Sequence, residues 1–233
     1  NKFINRFTSE EWLSLVNSPE FPLENRAIRG LYAPGSIFKL TMALGALDKG
    51  LITDRTTFFC GGTIRIYSQP FSCMATGGHG PMNLYSGIRN SCNIYFYQIG
   101  RMIDIDEIFR YAKMLGFGTK TGIDLGGEKE GLVPNSLWKK RVKNEAWMPG
   151  ETISVSIGQG PLLVTPIQVA AHTALFADRG QKIFLHLLKS QPGNKEERET
   201  SSQIPESPSV NINPSTFEKV IRGVWEGVNR DGT

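Results

Sequence analysis

Ser36 and Lys39 stand three residues apart at the start of an apolar run, which puts a hydroxyl and an amine on one face of a helix. Such a pair supports nucleophilic catalysis. A serine hydroxyl is a weak nucleophile at neutral pH, and an amine whose pKa is lowered by burial is a neutral base able to activate it. The approach, Gly30-Leu31-Tyr32-Ala33-Pro34-Gly35, interrupts regular structure at Pro34 and Gly35. Leu40, Leu44 and Leu47 then recur at spacings of three and four, so the pattern predicts a helix with one apolar face whose first turn carries Ser36. The unpaired N–H groups of that turn, with the positive end of the helix dipole, stabilise negative charge on the serine oxygen.

A Ser-x-x-Lys pattern is short, and composition yields about one chance match in a chain of this length. Ser136-Leu137-Trp138-Lys139 is the second match. It follows Pro134-Asn135 and runs into Lys140, Arg141 and Lys143, which reads as a solvated basic face. Another polar pair, Ser91 and Asn93, precedes the aromatic-rich run Ile94-Tyr95-Phe96-Tyr97, so a short turn aims both side chains into a cleft. Taken alone, they are helix caps. Ser209 and Asn211 repeat the letters beside Pro208, in a polar segment.

Three cysteines and a histidine occur in the order Cys60-x12-Cys73-x5-His79-x12-Cys92. Three thiolates and an imidazole make a complete tetrahedral zinc set, although the spacing is not that of a zinc finger. A Cys60 to Cys73 disulfide with Cys92 a buried thiol, or three free thiols, fits the same residues.

The elements that must hold these groups follow from composition and punctuation. With 233 residues, 39% apolar and 21% charged, the chain has the makings of a globular core. A formal charge of +4 from 26 basic and 22 acidic residues is too mild to argue for nucleic acid. The longest uncharged stretch, Thr152 to Ala177, is broken by Gly158, Gly160, Pro161 and Pro166 and cannot be a plain membrane helix. Thr165-Pro166 starts a helix there, with Ala170, Ala171, Ala174 and Leu175 as its packed face and Gly180 as its end. Ile183 to Leu188 reads as a strand, and 190–209, rich in Pro, Ser, Glu and Lys, as a flexible insertion. His172 and His186 have no carboxylate or cysteine at useful spacing, which favours packing roles. Gly158-Gln159-Gly160 is too short for a phosphate loop.

Nearly the whole chain resembles the penicillin-binding transpeptidases, most closely the class B, elongation-specific penicillin-binding protein 2 type. The segments that carry this, in the family's order, are Pro22-Leu23-Glu24-Asn25-Arg26-Ala27, Tyr32-Ala33-Pro34-Gly35-Ser36, Gly78-His79-Gly80, Asn90-Ser91-Cys92-Asn93 with the aromatic run, Gly116-Phe117-Gly118, Thr121-Gly122-Ile123-Asp124-Leu125, Ile157-Gly158-Gln159-Gly160 and Thr165-Pro166-Ile167-Gln168. The resemblance implies an α/β (α+β) fold of the penicillin-binding and serine β-lactamase type. Residues 1–233 would be a partial transpeptidase domain, mainly its helical part, with much of the central antiparallel sheet outside it. A membrane anchor, a pedestal domain and the first strands would precede Asn1.

By the same resemblance Ser36 is the acylated nucleophile and Lys39 its base. Ser91 relays protons between Lys39 and the leaving amine, and Asn93 bonds the substrate's acyl-amide and orients Lys39. Lys120-Thr121-Gly122 has the letters of the family's third motif but lies where the family has a structural loop. The catalytic copy is expected after the helix running from about Pro214 to Val228. One donor of the oxyanion hole, a strand N–H that joins the Ser36 N–H, falls with the absent strands. Some relatives hold a structural zinc through the His of Gly-His-Gly and the Cys between Ser and Asn, here His79 and Cys92; Cys60 and Cys73 follow by position.

The implied activity is peptidoglycan D,D-transpeptidation through a serine acyl-enzyme, inhibited covalently by β-lactams, in cell-wall elongation and cell-shape maintenance, with D-Ala-D-Ala carboxypeptidase activity a related outcome. Implied partners are peptidoglycan stem peptides, lipid-linked precursor strands, β-lactam antibiotics and elongation-complex membrane proteins including a glycosyltransferase, at the periplasmic, outer face of the bacterial cytoplasmic membrane. A serine β-lactamase or a β-lactam-sensing receptor domain would use the same constellation.

Overall fold

The computed structural model of the chain describes residues 2–4, 6–187 and 209–230. Helix α1 (Ser9–Val16) begins at a Thr8 and Glu11 capping box, and α2 (Arg26–Arg29) is capped by Asn25. A 3-10 turn, Gly35–Ile37, leads without a break into α3 (Phe38–Asp48). Phe38, Lys39 and every residue from Thr41 to Ala46 are buried, so α3 is a central helix enclosed nearly all round rather than one with a single apolar face. It packs against α5 (Asn93–Gly100), α6 (Ile105–Met114) and α10 (Pro214–Asn229).

Between α3 and α5 lie two antiparallel pairs. Strand β1 (Phe58–Cys60) pairs with β4 (Gly80–Met82), placing Cys60 opposite Gly80. Strand β2 (Thr63–Ile66) pairs with β3 (Gln69–Ser72) through a two-residue turn in which Tyr67 and Ser68 both have positive φ, 49° and 65°, as a type I′ hairpin requires. Helix α4 (Leu84–Arg89) follows, with Asn83 and Ser86 forming its capping box. Among the described residues these two pairs are the only sheets, and no helix is long and apolar enough to cross a membrane.

Helices α7 (Ser136–Lys143) and α8 (Pro149–Val155) lead to α9 (Pro166–Ala177), which starts at Thr165 as expected. Its buried residues are Gln168, His172, Leu175 and Phe176, whereas Ala170 is exposed. Leu175 is buried as expected and Ala171 and Ala174 are half-buried, while His172 and Phe176 pack against Phe117 and Phe217. His172 is fully buried, with Nδ1 3.1 Å from the Leu115 carbonyl and its ring on Phe117 and Phe176; burial lowers its pKa to about 4. Gln168 Nε2 donates to the carbonyls of Thr119 and Glu130, tying the intervening loop to α9.

Two expectations are corrected. Of the strand expected over Ile183 to Leu188, the described residues 183–187 form none, and Leu188 lies outside the described residues: Ile183, Phe184 and Leu187 are exposed, and the Leu187 N–H donates to Asp124 Oδ1 at 2.8 Å rather than to a neighbouring strand. Of the expected insertion, 190–208 lies outside the described residues, but Ser209 bridges Gln181 and the Val210 N–H donates to Gly180. Val210 and Ile212 are buried there, so the second Ser-x-Asn match is anchored by its apolar residues. Lys139 is also not solvated. It is 4% exposed, with Nζ 2.6 Å from Glu151 and 3.4 Å from Glu145, because α7 turns this one lysine inward toward α8.

Candidate active site

Ser36 is positioned by backbone contacts on both sides of Pro34. Tyr32 and Val164 exchange N–H and carbonyl bonds at 2.9 and 2.8 Å, and the Gly35 N–H donates to the Gly158 carbonyl at 3.0 Å. Gly158 has φ +72°, and a Cβ there would lie 2.1 Å from the Gly35 carbonyl oxygen. The turn therefore rests directly on the 157–160 segment, leaving the Ser36 side chain exposed and its N–H at a helix start.

One turn on, Lys39 is 2% exposed. Its ammonium donates to the Ser91 carbonyl (2.7 Å), Ser91 Oγ (2.9 Å) and Asn93 Oδ1 (2.7 Å). Ser91 Oγ in turn donates to Ser36 Oγ at 2.9 Å. The connection from amine to nucleophile thus runs through Ser91, which the i, i+3 spacing of Ser36 and Lys39 does not reveal. Burial lowers the Lys39 pKa to about 8, opposed by negative charge on Cys73 and Cys92, so near neutrality a usable fraction is the free amine.

Ser91 sits between α4 and α5 with φ +46°, a left-handed conformation uncommon for serine. Its N–H donates to the Ile88 carbonyl and that of Cys92 to Gly87, a tight turn that aims the Ser91 hydroxyl at Ser36. Asn93 begins α5; its Nδ2 donates to the Ser72 carbonyl at 3.3 Å, and Tyr97 Oη reaches the same oxygen at 3.4 Å. Phe96 supplies the wall behind Lys39, its ring centroid 5.6 Å from Nζ. The hydroxyl pair opens into a cleft of about 430 Å³ between α4 and α10, floored by Leu40 and Ile88 and flanked by Arg89, Val224 and Val228.

The metal-type set also converges. Sγ of Cys60, Cys73 and Cys92 and a ring nitrogen of His79 all lie within 4.8 Å of one another, and the three cysteines are unbridged. His79 Nδ1 is 3.6 Å from Cys60 Sγ and 3.5 Å from Cys73 Sγ. A tetrahedral ion with Zn–S of about 2.3 Å and Zn–N of about 2.0–2.1 Å sets sulfur and nitrogen about 3.6 Å apart, so the residues fit the ion. Burial pushes the Cys92 thiol up to about 12. Burial also opposes a Cys73 thiolate, but hydrogen bonds from the backbone at Ala75, Asn93 and Ile94, with one from Cys60, outweigh it and bring that pKa below its ordinary value.

The decoys are kept apart. Ser136 Oγ donates to Asp106 at 2.6 Å and Lys139 pairs with Glu151, so that match is divided between two structural contacts. In Lys120-Thr121-Gly122, the Thr121 N–H and hydroxyl and the Gly122 N–H all donate to the buried Glu128 carboxylate, making a loop closure. What sequence reasoning missed is the support: the Gly158 contact to Gly35 and the Ser72 carbonyl under Asn93. The paired glycines at 158 and 160 were the available signal for the first; nothing local marked the second.

Residues 7–233 match the family model described as penicillin binding protein transpeptidase domain. The peptidoglycan D,D-transpeptidase MrdA of Acinetobacter baumannii is 39% identical over 197 residues, covering 84% of this chain and 29% of the relative. Pseudomonas aeruginosa PBP2, solved in complex with WCK 5153, is 33% identical with a TM-score of 0.85, over 97% of this chain and 49% of that one. Helicobacter pylori PBP2, solved in complex with MreC, is 32% identical with a TM-score of 0.84, over 97% of this chain and 40% of that one. The chain spans about a third of the length of the curated relatives it matches. Its sequence and its fold alike place it in the penicillin-binding protein transpeptidase family.

Proposed function

We propose that this chain carries the serine nucleophile of a peptidoglycan D,D-transpeptidase acting in cell-wall elongation. The observation that supports it is the hydrogen-bonded series Lys39, Ser91, Ser36 at the mouth of a cleft. Lys39 in its free-amine form takes a proton, through Ser91, as Ser36 Oγ attacks the carbonyl carbon of the penultimate D-Ala of a stem peptide. The new C–O bond replaces the C–N bond, and the terminal D-Ala leaves as an amine after receiving that proton through Ser91. An amine from a neighbouring stem attacks the ester, forms the cross-link and returns the proton to Ser36 Oγ. Asn93 holds Lys39 and presents its amide to the substrate's acyl-amide. Water in place of the second amine would give carboxypeptidase turnover, and a β-lactam would acylate Ser36 and remain.

Cys60, Cys73, His79 and Cys92 would hold a structural zinc, which supplies no step of the chemistry. Its role is to tie Cys73, next to the Ser72 carbonyl under Asn93, to Cys92, between Ser91 and Asn93. Working at the outer face of the cytoplasmic membrane, the protein would draw on lipid-linked precursor strands and assemble with membrane proteins of the elongation machinery, a glycosyltransferase among them. The MreC complex of the Helicobacter pylori relative supports that assignment.

Intact mass after incubation with a penicillin tests the reading on three chains: this one, its Ser36→Ala variant, and a version extended to the length of its relatives. A stable adduct on the extended chain, lost with Ser36→Ala, is expected. No adduct on any chain overturns it. Rapid antibiotic hydrolysis would point to a β-lactamase, and a lasting adduct without cross-linking activity to a β-lactam sensor.

A further inference from the structure

Helix α10 meets α4 through a face that recurs at helical spacing: Arg222, Gly223, Glu226 and Gly227. The approach is close. A Cβ on Gly223 would lie 2.8 Å from Ile88 Cδ1, and one on Gly227 would lie 3.6 Å from the Arg89 Cα. Between them, Glu226 is 5% exposed. Its carboxylate faces Arg222 (3.4 Å) on its own helix, Arg230 (3.6 Å) just past that helix's end and Arg89 (4.0 Å) on α4. Arg222 and Arg230 neutralise Glu226, and Arg222, over the Tyr85 ring at 4.5 Å, meets the start of α4 but cannot hold its end. Arg89 can, and it is the last residue of α4, two before Ser91.

The turn beyond it has little slack, since the Ser91 N–H is bonded to Ile88 and the Cys92 N–H to Gly87, both in α4. Any shift of the last turn of α4 along α10 therefore carries the Ser91 hydroxyl with it. Burying a carboxylate among guanidinium groups gains little stability over apolar packing, so its use here is better explained by the geometry it imposes. We propose that Glu226 is a positioning residue for Ser91: through Arg89 it fixes the last turn of α4 against α10 and so sets the Ser91 hydroxyl between Lys39 and Ser36. The proposal rests on the serine acyl-transfer reading above.

The test is stopped-flow acylation by a fluorescent penicillin, in the protein at the full length of its relatives, separating the dissociation constant of the first complex from the first-order acylation step. Glu226→Gln, Arg89→Gln, the double variant and Arg230→Gln are compared, with thermal midpoints for all. Because misplacement by about 1 Å can cost up to about a hundredfold, Glu226→Gln should slow the acylation step by roughly tenfold or more with the dissociation constant unchanged, and Arg89→Gln, which also alters the cleft wall, should slow that step at least as much. The double variant should be no slower than the worse single one, and Arg230→Gln should acylate like wild type. Acylation by Glu226→Gln within about twofold of wild type overturns the proposal alone, as does a weakened first complex with the acylation step intact. Failure of wild type to acylate at Ser36 overturns the underlying reading as well. Should Glu226→Gln not fold, Arg89→Gln decides by the acylation step alone, wild-type speed in that step overturning the proposal.

Discussion

Gly158 and Gly35 are in backbone contact, with the Gly35 N–H donating to the Gly158 carbonyl at 3.0 Å and no room at position 158 for a side chain. The nucleophile's turn is thus supported by a residue more than a hundred positions away that has no chemical role of its own. Gly158→Ala should destabilise the protein by about 2 kcal/mol or more, from the left-handed backbone and the overlap together. It should also slow Ser36 acylation by on the order of tenfold or more, because the turn must move. Thermal denaturation and penicillin acylation of the same preparation check both, and an alanine variant matching wild type would remove the contact from the argument.

Lys39 sets the pH dependence. Burial lowers its pKa to about 8, so the reactive free amine is the minor form at neutrality. The acylation rate should rise roughly tenfold per pH unit below that value and level off above it. Lys39→Arg keeps the positive charge but cannot deprotonate, and should lose about 100-fold to 10,000-fold in rate across the whole range. A rate independent of pH between 6 and 9 would contradict the assignment.

Metal content is the third test. Protein purified without chelators should hold about one zinc per chain, as a set of three thiolates and an imidazole requires. Stripping it should lower the thermal midpoint by several degrees and slow acylation, with Ser36 chemically intact. Metal-free protein with full stability would disprove the zinc site.

The Lys-Thr-Gly segment at 120–122 separates a structural from a catalytic use of the same letters. Glu128→Ala removes the acceptor of the Thr121 N–H and hydroxyl and of the Gly122 N–H, and should cost about 1–3 kcal/mol of stability. Lys120 is exposed, and Lys120→Ala should leave both stability and acylation unchanged. A large loss of acylation with Lys120→Ala would mean that this copy serves the chemistry.

Local chemistry in the sequence was enough for the starts of two helices. Thr165 and Pro166 start α9, and Pro214 starts α10, because caps and a proline at a first turn act on neighbouring N–H groups whatever the rest of the chain does. The four candidate catalytic residues were legible too, through short-range spacing and the order of segments. The tertiary structure alone decided how they connect. That Lys39 reaches Ser36 through Ser91 depends on α4 and α5 arriving beside α3, a contact across more than fifty residues with no local signature. The same holds for the four metal-type side chains, brought together by two antiparallel strand pairs and a turn, for Lys139, turned inward beside Glu151, and for 183–187, which form no strand among the described residues. Strand pairing and the burial of a charge are satisfied by distant partners, so a sequence states the need and only the fold supplies the neighbour.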